Sequence, residues 1–114
     1  MIRHVAQMAH ETCENVRGGH GVFEKEHLIT AEELCGFGKM AARITLQKGQ
    51  SIGRHSHTED GEMYIILSGC ASVDDNGTPQ ELHAGDVMWT AHGEFHSIEN
   101  RQDAPLCFLA IVVD

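Results

Sequence analysis

Glycine-bearing turns cut the chain beyond residue 38 into runs too short for helices, and this punctuation limits the fold to strands. "KMAARITL" (39–46) sets Met40, Ala42, Ile44 and Leu46 against Lys39, Ala41, Arg43 and Thr45, the period of two that gives a strand one buried face. "MYIILSG" (63–69) is an apolar run stopped by glycine. Within "CASVDDNGTPQEL", Asn76-Gly77 lies between two extended pieces, and this dipeptide favours the type I′ turn of a tight hairpin. "DVMWTA" (86–91) and "SIEN" (97–100) read as short strands, and "APLCFLAIVV" (104–113) as a buried one. Upstream, "VFEKEHLI" (22–29) alternates as a strand does. Thr30 and Glu33 stand at capping-box spacing, which predicts one short helical turn ending by residue 36. The pattern predicts an all-β barrel or sandwich with little helix, without repeats. Residues 1–21, mixed and polar and ending in "RGGHG", read as an N-terminal arm before a single β domain at 22–114.

A chain of 114 residues suffices for one core. Hydrophobic residues make up 41 % but aromatics only 5 %, so that core must rest on Ile, Leu, Val, Met and Ala. Seventeen carboxylates against eight Lys and Arg give a net charge of −9, which repels phosphate backbones and argues against a nucleic-acid partner. Cys13, Cys35, Cys70 and Cys107 are scattered without a C-x-x-C, so a cysteine zinc ribbon is not indicated. The start lacks the apolar run of a signal peptide, and no segment approaches membrane-spanning length. These readings predict a soluble, cytoplasmic protein with reduced thiols.

Nine histidines are many for this length, and their placement matters more than their number. "GRHSHTEDGE" (53–62) holds two of them with three carboxylates. In an extended chain His55 and His57 face the same side. Glu62 follows across a turn at "EDG", and His96 lies beside another glycine turn. Three imidazoles and one carboxylate form a mixed nitrogen and oxygen set suited to first-row divalent metals. Four such ligands on an octahedral ion leave two positions open, as a catalytic site requires and a closed structural site lacks.

The spacing of these residues resembles that of the cupin superfamily. Its first motif, G-x5-H-x-H-x3,4-E-x6-G, is matched by Gly49, His55, His57, Glu62 and Gly69. The second, G-x5-P-x-G-x2-H-x3-N, is matched by Gly85, Gly93, His96 and Asn100, with Ala91 where proline is usual. That departure removes rigidity from a turn and no ligand. The resemblance implies a small conical jelly-roll β-barrel with a metal in its mouth. It also implies His55, His57, Glu62 and His96 as ligands of one divalent transition metal per chain, among Mn, Fe, Ni and Zn, and a homodimer. Within the motif Glu62 is the ligand, which leaves Glu59 and Asp60 as solvated turn residues, or as contacts for a substrate at the barrel mouth.

Tyr64 is two residues past Glu62, so strand geometry points it to the same side, where it could line the cavity or fill the core. Arg43 could meet a substrate carboxylate if it faces inward, and is a surface charge if it faces out. These two are the candidate catalytic residues. His92 and Glu94 read as exposed loop residues, with a role behind the ligands or toward a substrate as the alternative. His4, His10, His27 and His83 read as surface residues, Trp89 as core or interface packing, and Met8, Met40, Met63 and Met88 as core filler. His20, in a glycine-rich segment, could close over the barrel. The expected function is a metal-dependent enzyme acting on a small oxygenated metabolite, an organic acid or sugar derivative. Isomerase, decarboxylase, lyase and dioxygenase chemistry all occur on such a scaffold. The alternative is a non-catalytic protein that binds or senses a small molecule through the metal.

Overall fold

In the computed structural model, which describes residues 1–114, the alternating runs become ten strands. They are β1 (Ala9–Glu14), β2 (Val22–Ile29), β3 (Gly38–Leu46), β4 (Ser51–His57) and β5 (Gly61–Ser68), then β6 (Cys70–Asp75), β7 (Thr78–His83), β8 (Val87–Thr90), β9 (Glu94–Glu99) and β10 (Leu106–Val113). Helix is limited to two 3₁₀ turns, Val5–Gln7 and Val16–Gly18. No helix is long and apolar enough to cross a membrane.

Every pairing is antiparallel. One sheet runs β1-β2-β3-β10-β5-β8, the other β4-β9-β6-β7. The two pack face to face as a jelly roll, and no ladder joins them into a continuous barrel. Alternation supplies the core. Ile44, Leu46, Tyr64, Ile66 and Phe108 face inward from the larger sheet, and Ile52, Val73 and Ile98 from the smaller. Asn76 (φ 53°) and Gly77 (φ 94°) both take the left-handed backbone that a type I′ turn requires, so the β6–β7 hairpin forms where its sequence predicts.

Three local expectations are refined by the structure. The Thr30–Glu33 box forms, with Glu33 N–H donating to Thr30 Oγ1 (3.2 Å) and Thr30 N–H to Glu33 Oε1 (2.8 Å). Leu34 N–H bonds the Thr30 carbonyl at 3.1 Å and the turn ends at Gly36, so the single helical turn expected there forms and adds no longer helix to the fold. Trp89 is half exposed, which removes the core alternative and leaves interface packing, because β8 turns Met88 and Thr90 inward and Val87 and Trp89 outward. Residues 9–14 form the edge strand β1, where only Cys13 faces the core and no alternation marks the strand. Cross-strand pairs hold it to β2: His10 Nδ1 lies 2.8 Å from Glu24 Oε2, and His27 Nε2 lies 2.8 Å from Glu11 Oε1.

Arg43 also stands on the outer face of its strand, since Met40, Ala42, Ile44 and Leu46 take the inner one. Its guanidinium donates to both oxygens of Glu26, each at 3.0 Å. Next to this pair the outer face of β10, β5 and β8 is apolar. Leu109, Ile65 and Val87 form one cross-strand row and Ile111, Met63 and Trp89 the next.

Candidate metal centre

A β-bulge aims the first histidines. In the β4–β9 ladder Ile52 pairs with Ile98 and His55 with His96, so β4 carries one extra residue between the two pairs. The bulge, at Gly53 and Arg54, lets Ile52, His55 and His57 all face inward although strict alternation would separate Ile52 from the histidines. It also sets His55 directly opposite His96. Glu62 comes from β5, across the gap between the sheets, and pairs in its own ladder with Thr90.

The four side chains meet tightly. His96 Nε2 lies 3.0 Å from His55 Nε2, 3.2 Å from His57 Nε2 and 3.1 Å from Glu62 Oε1. Glu62 Oε1 lies 3.1 Å from His57 Nε2 and 3.8 Å from His55 Nε2. His57, Glu62 and His96 are buried, and His55 is nearly so.

The hydrogen bonds behind the rings identify what faces the centre. His55 Nδ1 is 2.8 Å from the Gly53 carbonyl, which can only accept, so Nδ1 carries the proton. His57 Nδ1 donates in the same way to Asp60 Oδ1 at 2.7 Å. A neutral imidazole has one N–H, so Nε2 of both rings presents a bare lone pair. Thr90 Oγ1 stands 2.7 Å from His96 Nδ1, where it can accept a third such bond. Lone pairs and a carboxylate oxygen crowded this closely repel one another unless a cation sits among them. Donors about 2.1 Å from one ion lie about 3.0 Å apart at right angles, which the 3.0–3.2 Å contacts match. The donor set therefore fits a divalent transition metal, and these four residues could hold one.

Without a cation on the cluster, burial works against the Glu62 charge, but hydrogen bonds and charge from the surrounding histidines in their protonated form hold its carboxyl at about 2. Burial lowers His96 below the usual histidine value, with Glu62 pulling it partly back. Asp60 is also partly desolvated, yet His57 and Lys39 keep it below the ordinary carboxylate range.

A cavity of about 400 Å³ opens onto the cluster, at the small end of small-molecule sites. Tyr64 lines it, stacked on the His96 ring at 4.8 Å. Burial, and then the Glu62 charge, push the Tyr64 phenol well above its usual value, so it remains a neutral O–H. Arg43, His92 and Glu94 do not line this cavity. His20 does not either: its N–H donates to Ser51 Oγ (2.9 Å) and its carbonyl accepts from Ser51 N–H (2.9 Å), which pins it to the edge of β4. Sequence reasoning missed Asp60, which is no solvated turn residue but the partner of His57, and it missed Thr90. It also missed three cations of the cavity wall, Arg17, Lys25 and Lys39.

Fold and cluster together define a β-jelly-roll protein with an inward-facing site fit for a metal ion. The chain belongs to the cupin family, whose cupin-domain pattern matches residues 42–112. It is 38 % identical over 113 residues to an oxalate-binding protein of Thermotoga maritima, covering 99 % of this chain and 93 % of the relative. A crystal structure described as a predicted oxalate decarboxylase, also from Thermotoga maritima, superposes with a TM-score of 0.94 at 38 % identity, over 99 % of this chain and 98 % of the other. A cupin protein from Bacteroides fragilis superposes with a TM-score of 0.68 at 31 % identity, over 79 % and 75 % of the two chains.

Proposed function

We propose that this protein binds a small organic acid of the oxalate type at a metal ion held by His55, His57, Glu62 and His96. The carrying observation is the convergence of bare imidazole lone pairs and the Glu62 carboxylate on the floor of a cavity sized for a small molecule. Likeness to the oxalate-binding relative supports the choice of acid. A bound divalent ion supplies Lewis acidity and an anchor for carboxylate oxygens. The chain's own groups do the rest. Asp60 and the Gly53 carbonyl keep His57 and His55 in the ligating tautomer. The Tyr64 O–H can donate to an oxygen of the acid, and the sheets exclude bulk water from the inner side of the site.

The test loads the protein with Mn, Fe, Ni or Zn, measures metal per chain, and titrates oxalate by calorimetry. One equivalent of at least one metal is expected, with oxalate binding that chelation abolishes. Absence of metal uptake, or binding of oxalate that ignores chelation, sinks the proposal. A second reading is turnover, favoured by a neutral Tyr64 phenol beside the cluster as an orienting donor. Release of carbon dioxide and formate from oxalate in the same samples distinguishes an enzyme from a binding protein.

We further infer that a second copy covers the outer face of β5, β8 and β10. Two chains at −9 repel, so they meet best where no net charge stands. This face offers Leu67, Val87 and Trp89, all exposed, beside an Arg43–Glu26 pair that is internally neutral. Sedimentation should give a dimer, and Trp89→Glu should give a folded monomer. A monomeric wild-type chain, or a dimer unaffected by Trp89→Glu, contradicts this assembly.

A further inference from the structure

The chain has eight lysines and arginines among seventeen carboxylates, so partners are plentiful. Arg3, Lys39, Arg43, Lys48, Arg54 and Arg101 each hold an ion pair. The two that hold none are Arg17 and Lys25, and both line the cavity over the His–Glu cluster. In so acidic a protein, chance alone would rarely leave the only two unpaired cations on one cavity wall.

Their positions come from the backbone rather than from a carboxylate. Lys25 follows Phe23 by two residues on β2, and Phe23 is buried, so strand parity turns Lys25 inward. Glu11 stands opposite Lys25 in the ladder, but its carboxylate is engaged by His27 at 2.8 Å. Arg17 sits in left-handed backbone (φ 57°, ψ 32°), a conformation that costs a non-glycine residue energy and must be imposed by its surroundings. The surroundings do impose it. The turn at Val16–Gly18 lies against β4, where Gly53 and Gly19 have no side chain to hold the two backbones apart.

The other charges of the wall do not satisfy these cations. Asp60 is bound to His57 and to Lys39 Nζ at 3.1 Å, and Glu59 is exposed at the rim. With a divalent ion on the cluster the cavity is net positive inside a negative protein. Lys25 is half-buried, so without a partner it carries a desolvation cost that an incoming anion offsets, and Arg17 reaches the same wall from an exposed position.

We infer that Arg17 and Lys25 receive the second carboxylate of a small dicarboxylate whose first carboxylate faces the metal cluster. This rests on the metal-centred reading above and adds how the ligand's second charge is recognised. The guanidinium offers a fork for two carboxylate oxygens and the ammonium a point charge. The site should therefore prefer dianions to monoanions. Chelation through one oxygen of each carboxylate also favours oxalate and malonate at the metal itself, so the mark of Arg17 and Lys25 is the part of the preference that their removal takes away.

The experiment uses the metal-loaded full chain and calorimetric titration with oxalate, malonate, succinate and, as monocarboxylate, acetate. In the wild type at least one dicarboxylate should bind about tenfold or more tighter than acetate. Arg17→Gln and Lys25→Gln should each weaken that dicarboxylate about tenfold, leave acetate within about twofold, and leave the metal content unchanged. Lys48→Gln removes the same charge outside the cavity, from a pair with Asp103, and should change neither affinity. If the Arg17 and Lys25 variants hold dicarboxylates as tightly as the wild type, the inference is wrong. It is also wrong if they lose mono- and dicarboxylates alike, or if Lys48→Gln mimics them. Wild-type binding that favours acetate over every dicarboxylate overturns this inference and leaves the metal-carboxylate reading intact. Binding of no carboxylate at all overturns both.

Discussion

His96→Ala should empty the cluster of metal, weakening affinity by more than about 100-fold, because it removes a direct ligand where loss of an outer partner already costs about 10–100-fold. His96 is the hub: it is fully buried, and its Nε2 lies within 3.2 Å of a donor atom of each of the other three residues. Asp60→Asn tests the layer behind. An amide can still accept from His57 Nδ1–H, but without the charge that strengthens the ring as a donor, so a loss at the lower end of that range is expected. Elemental analysis after dialysis, followed by chelator competition, measures both. Equal metal content in the wild type and His96→Ala, with the variant folded by circular dichroism, rules out this cluster as the metal site. The pH dependence has a definite sign. Protons compete for the same Nε2 lone pairs, so affinity must fall as pH drops through the histidine range. Burial lowers the His96 value and the histidines hold Glu62 at about 2, so both stay ligand-ready where an exposed histidine is already protonated. Metal should be retained through neutral pH and released below about pH 6.

The parts of this site that were legible in the sequence are those governed by local geometry. His55 and His57 share a face because two residues span one strand repeat, and Tyr64 follows Glu62 to the same side for the same reason. Alternation likewise separated Met40, Ala42, Ile44 and Leu46 from Arg43, which is why Arg43 ends on the outer face with Glu26. What was not legible depends on partners far apart in the chain. Asp60 in "TEDG" has the composition of a solvated turn, and only the fold shows that its carboxylate bends back to His57 while Lys39 arrives from β3. Thr90 looks like any strand threonine until β8 pairs with β5 and brings it to His96. The bulge at Gly53 and Arg54 leaves no periodic mark, yet it determines that Ile52 and His55 point the same way. Strand β1 escaped notice because histidine–glutamate pairs, His10 with Glu24 on one face and His27 with Glu11 on the other, rather than an apolar stripe, hold it to β2.

Gly53→Ala should cost about 1–3 kcal/mol, the range for forcing extra atoms into a closely packed place. Gly53 supports the site in three ways at once. It lies in the bulge that aims His55, its carbonyl accepts the His55 Nδ1–H bond at 2.8 Å, and its bare Cα lets the Val16–Gly18 turn rest on β4. A methyl group there would overlap the Arg17 carbonyl and lie 2.9 Å from Gly19 N. Both obstacles are backbone, so neither can rotate aside. The turn must lift or the bulge must shift. Lifting moves Val16 off the core edge and Arg17 off the cavity wall. Shifting instead disturbs His55. Thermal unfolding of the chelated protein should show a fall in Tm of roughly 4–12 °C, from about 4 °C per kcal/mol in a domain this small. Titration of the metal-loaded variant separates the two routes. A lifted turn leaves metal affinity near wild type and weakens the carboxylate that Arg17 would meet, whereas a shifted bulge weakens the metal first. An unchanged Tm would mean that the turn does not rest on β4, and the placement of Arg17 over the cluster would lose its physical cause.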